Sequence, residues 1–285
     1  MRVVRANRFG LLAIFVLAGC PPKPVDPQQA TRSNNRLDLA KDFLRKHQLE
    51  AAETECNRAL VLNPRNDEAF LVRGLVSLLH ALDDQRTAEI ESCLTGLDAE
   101  AMQKEQQQAL EKADKDFAKA LAVTPDYGEA WSDRGTVHSL LGDFKTAEAE
   151  YRHALENPVR LDSPGLSRAD LGWALFHQQN YVDAAQELRQ ALQFQPKMCV
   201  ATYRLARVYF AREEWEKAAE LFQTASDDPS CGSQEASLYL MKTRMQQGLV
   251  DDARRARDAC LRISPKSCVA QQCRADGGAL GQGQP

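Results

Sequence analysis

The sequence predicts an all-α protein, a solenoid of about six helix–turn–helix repeats wound into a right-handed superhelix. Three observations carry that expectation. Alanines that would open the close-packed part of each second helix (Ala52, Ala113, Ala147, Ala184, Ala218 and Ala253) are spaced by 61, 34, 37, 34 and 35 residues, so all but one interval sits near a single period. Prolines follow the second helices at Pro64, Pro125, Pro196 and Pro265, where a ring without an N–H cannot continue a helix. The stretch from Gly128 to Leu155 is a complete copy of the unit, with Trp131, Gly135, Gly142, Phe144, Ala147, Tyr151 and Ala154 at regular intervals. Gly135 and Ala147 are expected to face each other where its two helices cross, with Trp131, Phe144 and Tyr151 filling the space around them. Gly142 suits a left-handed turn between the helices.

The chain begins with a segment of a different kind. Arg2, Arg5 and Arg8 precede an apolar run from Phe9 to Ala18, too short to span a bilayer as a stable helix. It ends in Leu17-Ala18-Gly19-Cys20, which resembles the bacterial lipobox; an ordinary secretory signal is the plainer alternative. The lipobox reading makes residues 1–19 a signal peptide and Cys20 the site of lipid attachment, whose acyl chains would hold the protein to a membrane. Because Pro21 is not the aspartate that commonly retains lipoproteins at the inner membrane, the resemblance implies the outer membrane, with the body facing the periplasm. Removing residues 1–19 leaves 33 basic against 40 acidic residues and no lysine- or arginine-rich run. Nucleic acid is therefore not an expected partner, since it demands a basic face.

Seven cysteines remain beyond Cys20, an odd number that leaves at least one unpaired in an oxidising compartment. Cys56 falls where the repeat calls for a buried residue, so it reads as a small core hydrophobe. For the others, Cys199 with Cys231, and Cys260 with Cys268 or Cys273, are the pairings to expect. Three cysteines without a CxxC pair or a nearby histidine make a poor zinc signature.

In order along the chain, residues 20–32 read as an unpacked linker because of Pro21, Pro22, Pro24 and Pro27. Repeats then occupy residues 33–274. The first ends at Pro64. The second starts at Asp67 with Phe70 and Gly74 but resumes only near Ala109, so its 61-residue interval is one period plus an insertion of about 27 residues, at about 81–107. That insertion is rich in helix formers and has no proline, so it reads as helical, extending one or both helices of the repeat. It is either a partner-binding embellishment or, more plainly, a solvated insertion that the solenoid tolerates. The third repeat is the complete copy. The connection after it, Asn157-Pro158 to Ser163-Pro164, is irregular. Repeats four, five and six start near Gly165, Cys199 and Gln234, followed by a short capping segment at 266–274 and a Gly-rich tail, 275–285, expected to be disordered.

No enzyme signature is present: there is no HExxH, no nucleophile elbow and no phosphate-binding glycine loop. No cofactor or metal is expected. The five histidines are scattered over different repeat positions. The concave face of such an array is lined by repeat positions 2, 5, 9, 12 and 13 of the first helices. These are Leu71, Leu75, Leu78 and Leu79 in repeat two, Trp173 and Phe176 in repeat four, and Tyr203 and Phe210 in repeat five. An apolar, elongated groove suits an amphipathic segment. Large residues at positions 5 and 12 also recur simply to pack neighbouring repeats.

The repeat spacings are those of the tetratricopeptide (TPR) repeat. The order of parts (lipobox, proline-bearing linker, about six repeats) and the junction ALENPVRLDSPGLSRADLGWALF together resemble the pilotin-type TPR lipoproteins of type IV pili, the PilF, PilW and Tgl group, Tgl most of all. Ala154, Leu155, Pro158, Pro164 and Gly172 match that group's junction; its aromatic is absent, and Asp170 stands near its asparagine. The resemblance implies a non-catalytic outer-membrane protein that binds a secretin subunit through an amphipathic segment and promotes secretin assembly. The competing expectation is a general periplasmic scaffold for cell-wall enzymes.

Overall fold

The computed structural model describes residues 25–281, apart from 92, 157, 229 and 232. Among the described residues there are thirteen α-helices and no strand. Twelve form six antiparallel pairs: α1 (Pro27–Arg45) with α2 (Leu49–Leu62), α3 (Asp67–Arg86) with α4 (Gly96–Val123), α5 (Gly128–Leu140) with α6 (Phe144–Glu156), α7 (Pro164–His177) with α8 (Tyr181–Phe194), α9 (Cys199–Ala211) with α10 (Trp215–Asp227), and α11 (Gln234–Gln246) with α12 (Val250–Ile263). The thirteenth, α13 (Cys268–Asp276), caps the last pair.

Each pair closes over its own small residues. A Cβ on Gly135 would stand 2.9 Å from the ring of Tyr151, which lies one turn on from the fully buried Ala147 on the same face of α6, so Tyr151 is the side chain nearest Gly135. The same device recurs as Phe117 over Gly74 and Leu188 over Gly172. Ala52, Ala113, Ala147, Ala184, Ala218 and Ala253 are all fully buried. Gly142 takes φ 81° and Gly248 φ 73° in the turn within the pair, and His47, Gln179 and Glu213 hold equivalent left-handed conformations without the freedom of glycine.

First helices of successive pairs touch one another, α5 with α7, α7 with α9 and α9 with α11, whereas contacts of that extent between successive second helices do not occur among the described residues. The first helices thus line the tighter, concave side of the stack. At the junction after α6, the orphan amides at the start of α5 are taken up by chain from the far side: Gly128 N donates to Val159 O at 2.9 Å and Glu129 N to Arg160 O at 3.1 Å. Arg160 continues to Asp67 at 2.6 Å and lies over the Tyr127 ring at 3.5 Å, clamping the junction to the start of α3.

Three boundaries differ from the sequence reading. Helix α1 begins at Pro27, inside the stretch 20–32 expected to be linker, because Asp26 caps the Gln28 amide and proline is at home in the first turn. The cap does not end at 274: a 3-10 turn, Gly277–Gly281, continues α13, Leu280 is 6% exposed, and its carbonyl accepts from Arg254 at 2.8 Å. The stretch 275–281 is therefore ordered and packed, not the start of a disordered tail; residues 282–285 lie outside the described residues, as do the signal segment and Cys20.

The third difference concerns the insertion. Both helices of repeat two are lengthened, α3 to 20 residues and α4 to 28 against 13 or 14 in repeats three to six, and a π-turn, Thr87–Glu91, stands at the tip. This hairpin is not simply solvated. Cys93 at its tip is disulfide-bonded to Cys268 at the start of α13, 175 residues away, and Ser264 Oγ donates to Ile90 O at 3.0 Å. The solenoid is tied from its second repeat to its cap. Among the described residues no helix is long and apolar enough to cross a membrane.

Candidate functional site

Among the described residues the cysteines form three disulfide bonds. Cys199 pairs with Cys231, joining the starts of α9 and α11's approach; Cys260 pairs with Cys273, tying α12 to the cap; Cys268 pairs with Cys93. Of the two partners open to Cys260, the structure uses Cys273, because Cys268 is taken by the insertion. Asp228 lies within 4.8 Å of the Cys199 and Cys231 sulfurs, but sulfurs bonded to each other offer no thiolate to a metal. Cys56 is free and buried, and burial pushes its thiol up to about 12.

The leucines assigned to the groove divide. Leu71 and Leu78 are 6% and 5% exposed and belong to the core between α3, α4 and α5, so both are chiefly packing residues, Leu71 showing only an edge to the hollow beside Leu75. Position within a repeat did not reveal this, because it does not say how far α3 is covered by α4 and α5, the two helices that share its core. Leu75 remains half-buried and, with Leu44, floors a hollow of about 460 Å³ whose rim carries Lys41, Glu68 and Arg160.

The aromatic residues of repeats four and five, by contrast, come together. Trp173 and Phe176, three apart on α7, stack with ring centroids 4.8 Å apart, and His177 meets the Trp173 edge at 4.6 Å while stacking on Phe144. Burial, with Arg207 and Arg204 nearby, lowers the His177 pKa, so this ring is neutral at pH 7. Tyr203 and Phe210 on α9 face Tyr239 on α11, the Phe210–Tyr239 pair at 5.4 Å, and Phe222 backs Tyr239 from behind. Between the two groups lies Arg207, whose guanidinium carbon is 3.9 Å from the Tyr239 ring centre and 5.4 to 5.8 Å from those of Phe176, Trp173 and Tyr203. It donates to the Tyr203 hydroxyl at 2.9 Å. Half-buried rings, stacked on α7 and face to edge between α9 and α11, make one continuous surface that accepts apolar groups at little ordering cost, since the rings already brace each other.

The sequence reading missed Arg207 and Tyr239. Arg207 occupies position 9 of repeat five, which was available as a signal; Tyr239 sits at position 6 of repeat six, outside the positions considered. A second feature invisible in the sequence is Asp133 on α5. Its Oδ2 is sealed from solvent with no hydrogen-bond partner, and burial, then Glu129 and Asp170, hold its pKa well above the usual carboxylate range.

Profiles of the tetratricopeptide repeat match residues 141–198 and 175–230. No curated protein matches the chain in sequence. Among solved structures, PilW, described as a widely conserved type IV pilus biogenesis factor, superposes with a TM-score of 0.66 at 21% identity, over 84% of this chain and 97% of that one. PilF of Pseudomonas aeruginosa does so with the same score at 14% identity, over 87% of this chain and 99% of that one. The Cut9–Hcn1 hetero-tetramer of the APC/C reaches 0.66 as well, at 12% identity, over 85% of this chain and 42% of its own. At such identities the likeness concerns fold. By repeat pattern, profile and superposition the chain is a tetratricopeptide-repeat solenoid.

Proposed function

We propose that this protein is a binding protein of type IV pilus biogenesis, a pilotin-type lipoprotein that holds an amphipathic segment of a secretin subunit on the aromatic surface of repeats four to six until assembly buries that segment elsewhere. The observation that carries the reading is the near end-to-end likeness to PilW and PilF, which span almost their whole length on this chain. The aromatic surface supplies the physical means. Apolar side chains laid on Trp173, Phe176 and Tyr239 would be removed from water, at about 25 cal/mol per Å² of apolar surface before ordering costs. Attachment through acyl chains on Cys20, an outer-membrane location and a particular closeness to Tgl belong to the same proposal and rest on the sequence pattern. The role is binding and not catalysis.

The test replaces Trp173 and Phe176 together with serine. Detergent-resistant secretin multimers, followed by immunoblot, should fall while the lipoprotein remains helical and abundant. Undiminished multimers with a folded double variant would sink the mechanism. Affinity capture from membranes decides against the scaffold alternative if secretin is recovered, and in its favour if cell-wall enzymes are recovered instead.

A further inference from the structure

We infer that the segment bound on the aromatic surface carries a carboxylate, and that Arg207 is the residue that reads it. The inference rests on the groove reading above and adds the chemistry of the ligand.

The cations of this face differ in how they are satisfied. Arg204 Nη1 lies 2.5 Å from Asp170 Oδ1, and Lys242 Nζ lies 2.9 Å from Asp276. Arg207 has neither kind of partner: among the described residues its single hydrogen bond is to the Tyr203 hydroxyl, and no carboxylate comes within ion-pair distance. Burial pushes the Tyr203 phenol up to about 12, so that hydroxyl is neutral and supplies no counter-charge; Glu235 acts on Tyr203 through space but makes no ion pair with Arg207. Tyr239 and Phe176 flank the guanidinium plane and Trp173 stands beside it, which fixes the group without using up its donors. A guanidinium presents a rigid fork of five N–H groups, and one held among rings on a half-desolvated surface pairs best with a planar carboxylate, bidentately. Charge complementarity therefore selects the occupant: an internal peptide segment whose apolar side chains lie on Trp173 and Phe176 and whose Asp or Glu side chain meets Arg207.

The experiment presents two pools of short randomised synthetic peptides to the immobilised protein, one with free C-termini and one amidated, and sequences the captured fraction. Captured peptides should combine apolar residues with an acid at a fixed offset. Enrichment of Asp or Glu in the amidated pool is the expected result, and capture confined to free C-termini overturns the inference. For a captured peptide, Arg207→Gln should weaken binding about ten- to hundred-fold, Arg207→Lys less, and neither should affect the peptide's own amide counterpart, as expected for one charge-assisted hydrogen-bonded pair. Circular dichroism of both variants excludes loss of fold as the cause. Apolar enrichment without an acid, or an acid preference that survives in Arg207→Gln, overturns the inference and leaves the groove reading standing. Capture of no peptide class at all overturns both.

Discussion

Removing the long-range disulfide should loosen the whole array. In Cys93→Ser with Cys268→Ser the bond disappears without leaving a stray thiol, and the unfolded chain regains the freedom of a 175-residue loop. In the chain-entropy account that freedom is worth about 5 kcal/mol at 25 °C, against about 4 for the Cys199–Cys231 loop of 32 residues and about 3 for the Cys260–Cys273 loop of 13. The nested Cys199–Cys231 bond shortens the effective long loop by only 32 residues, and closure entropy depends on the logarithm of length, so the estimate hardly moves. Topology adds a second effect. A solenoid is held by nearest-neighbour interfaces, so its ends ordinarily fray independently of its middle. The bond from the hairpin tip to α13 makes the cap and repeat two open together. Denaturant unfolding followed by circular dichroism should show the double variant with a lower midpoint and a broader transition, and hydrogen exchange should show α13 losing protection before α5 to α8. A midpoint equal to that of the parent, with α13 equally protected, would refute the reasoning and reduce the link to an ornament on an already rigid stack.

Three further outcomes follow from single sites. Gly135→Ala places a methyl 2.9 Å from the Tyr151 ring, and overpacking of this kind should destabilise by about 1–3 kcal/mol in thermal or chemical unfolding. Asp133→Asn should be more stable than the parent at neutral pH, on the order of 1 kcal/mol from relieving an unpaired buried acid. The sign is set by linkage: the folded-state pKa is raised, so the parent suffers no penalty below the unfolded value of 3.8 and loses stability as pH rises above it; the advantage of Asp133→Asn should shrink toward pH 4. Cys56 should resist a thiol reagent such as dithionitrobenzoate in native protein lacking residues 1–24 and react after denaturation without reductant, giving one thiol per chain, because it is buried and its pKa is about 12.

Much of the fold was legible in the order of residues, and the reason is local. Ala52 to Ala253, the prolines after the second helices and Gly142 each act within one helix pair, where spacing along the chain translates directly into spacing in space. The candidate site was legible in half. Trp173, Phe176, Tyr203 and Phe210 do converge, since each repeat places its position-5, position-9 and position-12 residues on the same face. Leu71 and Leu78 did not stay open on that face because they are packed into the core that α3 shares with α4 and α5. Tyr239 was out of view because which rings meet across α9 and α11 depends on how neighbouring repeats rotate against each other.

By itself the sequence determined the repeat, its period, the buried alanines of the second helices, and the place and helical character of the insertion. Each is a matter of contacts a few residues to one period apart. Only the tertiary structure decided that the insertion reaches the far end of the array and that Cys93 finds Cys268. It also decided that, among the described residues, Arg207 stands among four rings with no carboxylate at ion-pair distance and that Asp133 Oδ2 is sealed without a partner. Those depend on the accumulated rotation of every repeat on the next, a sum of small angles that no single stretch of chain contains.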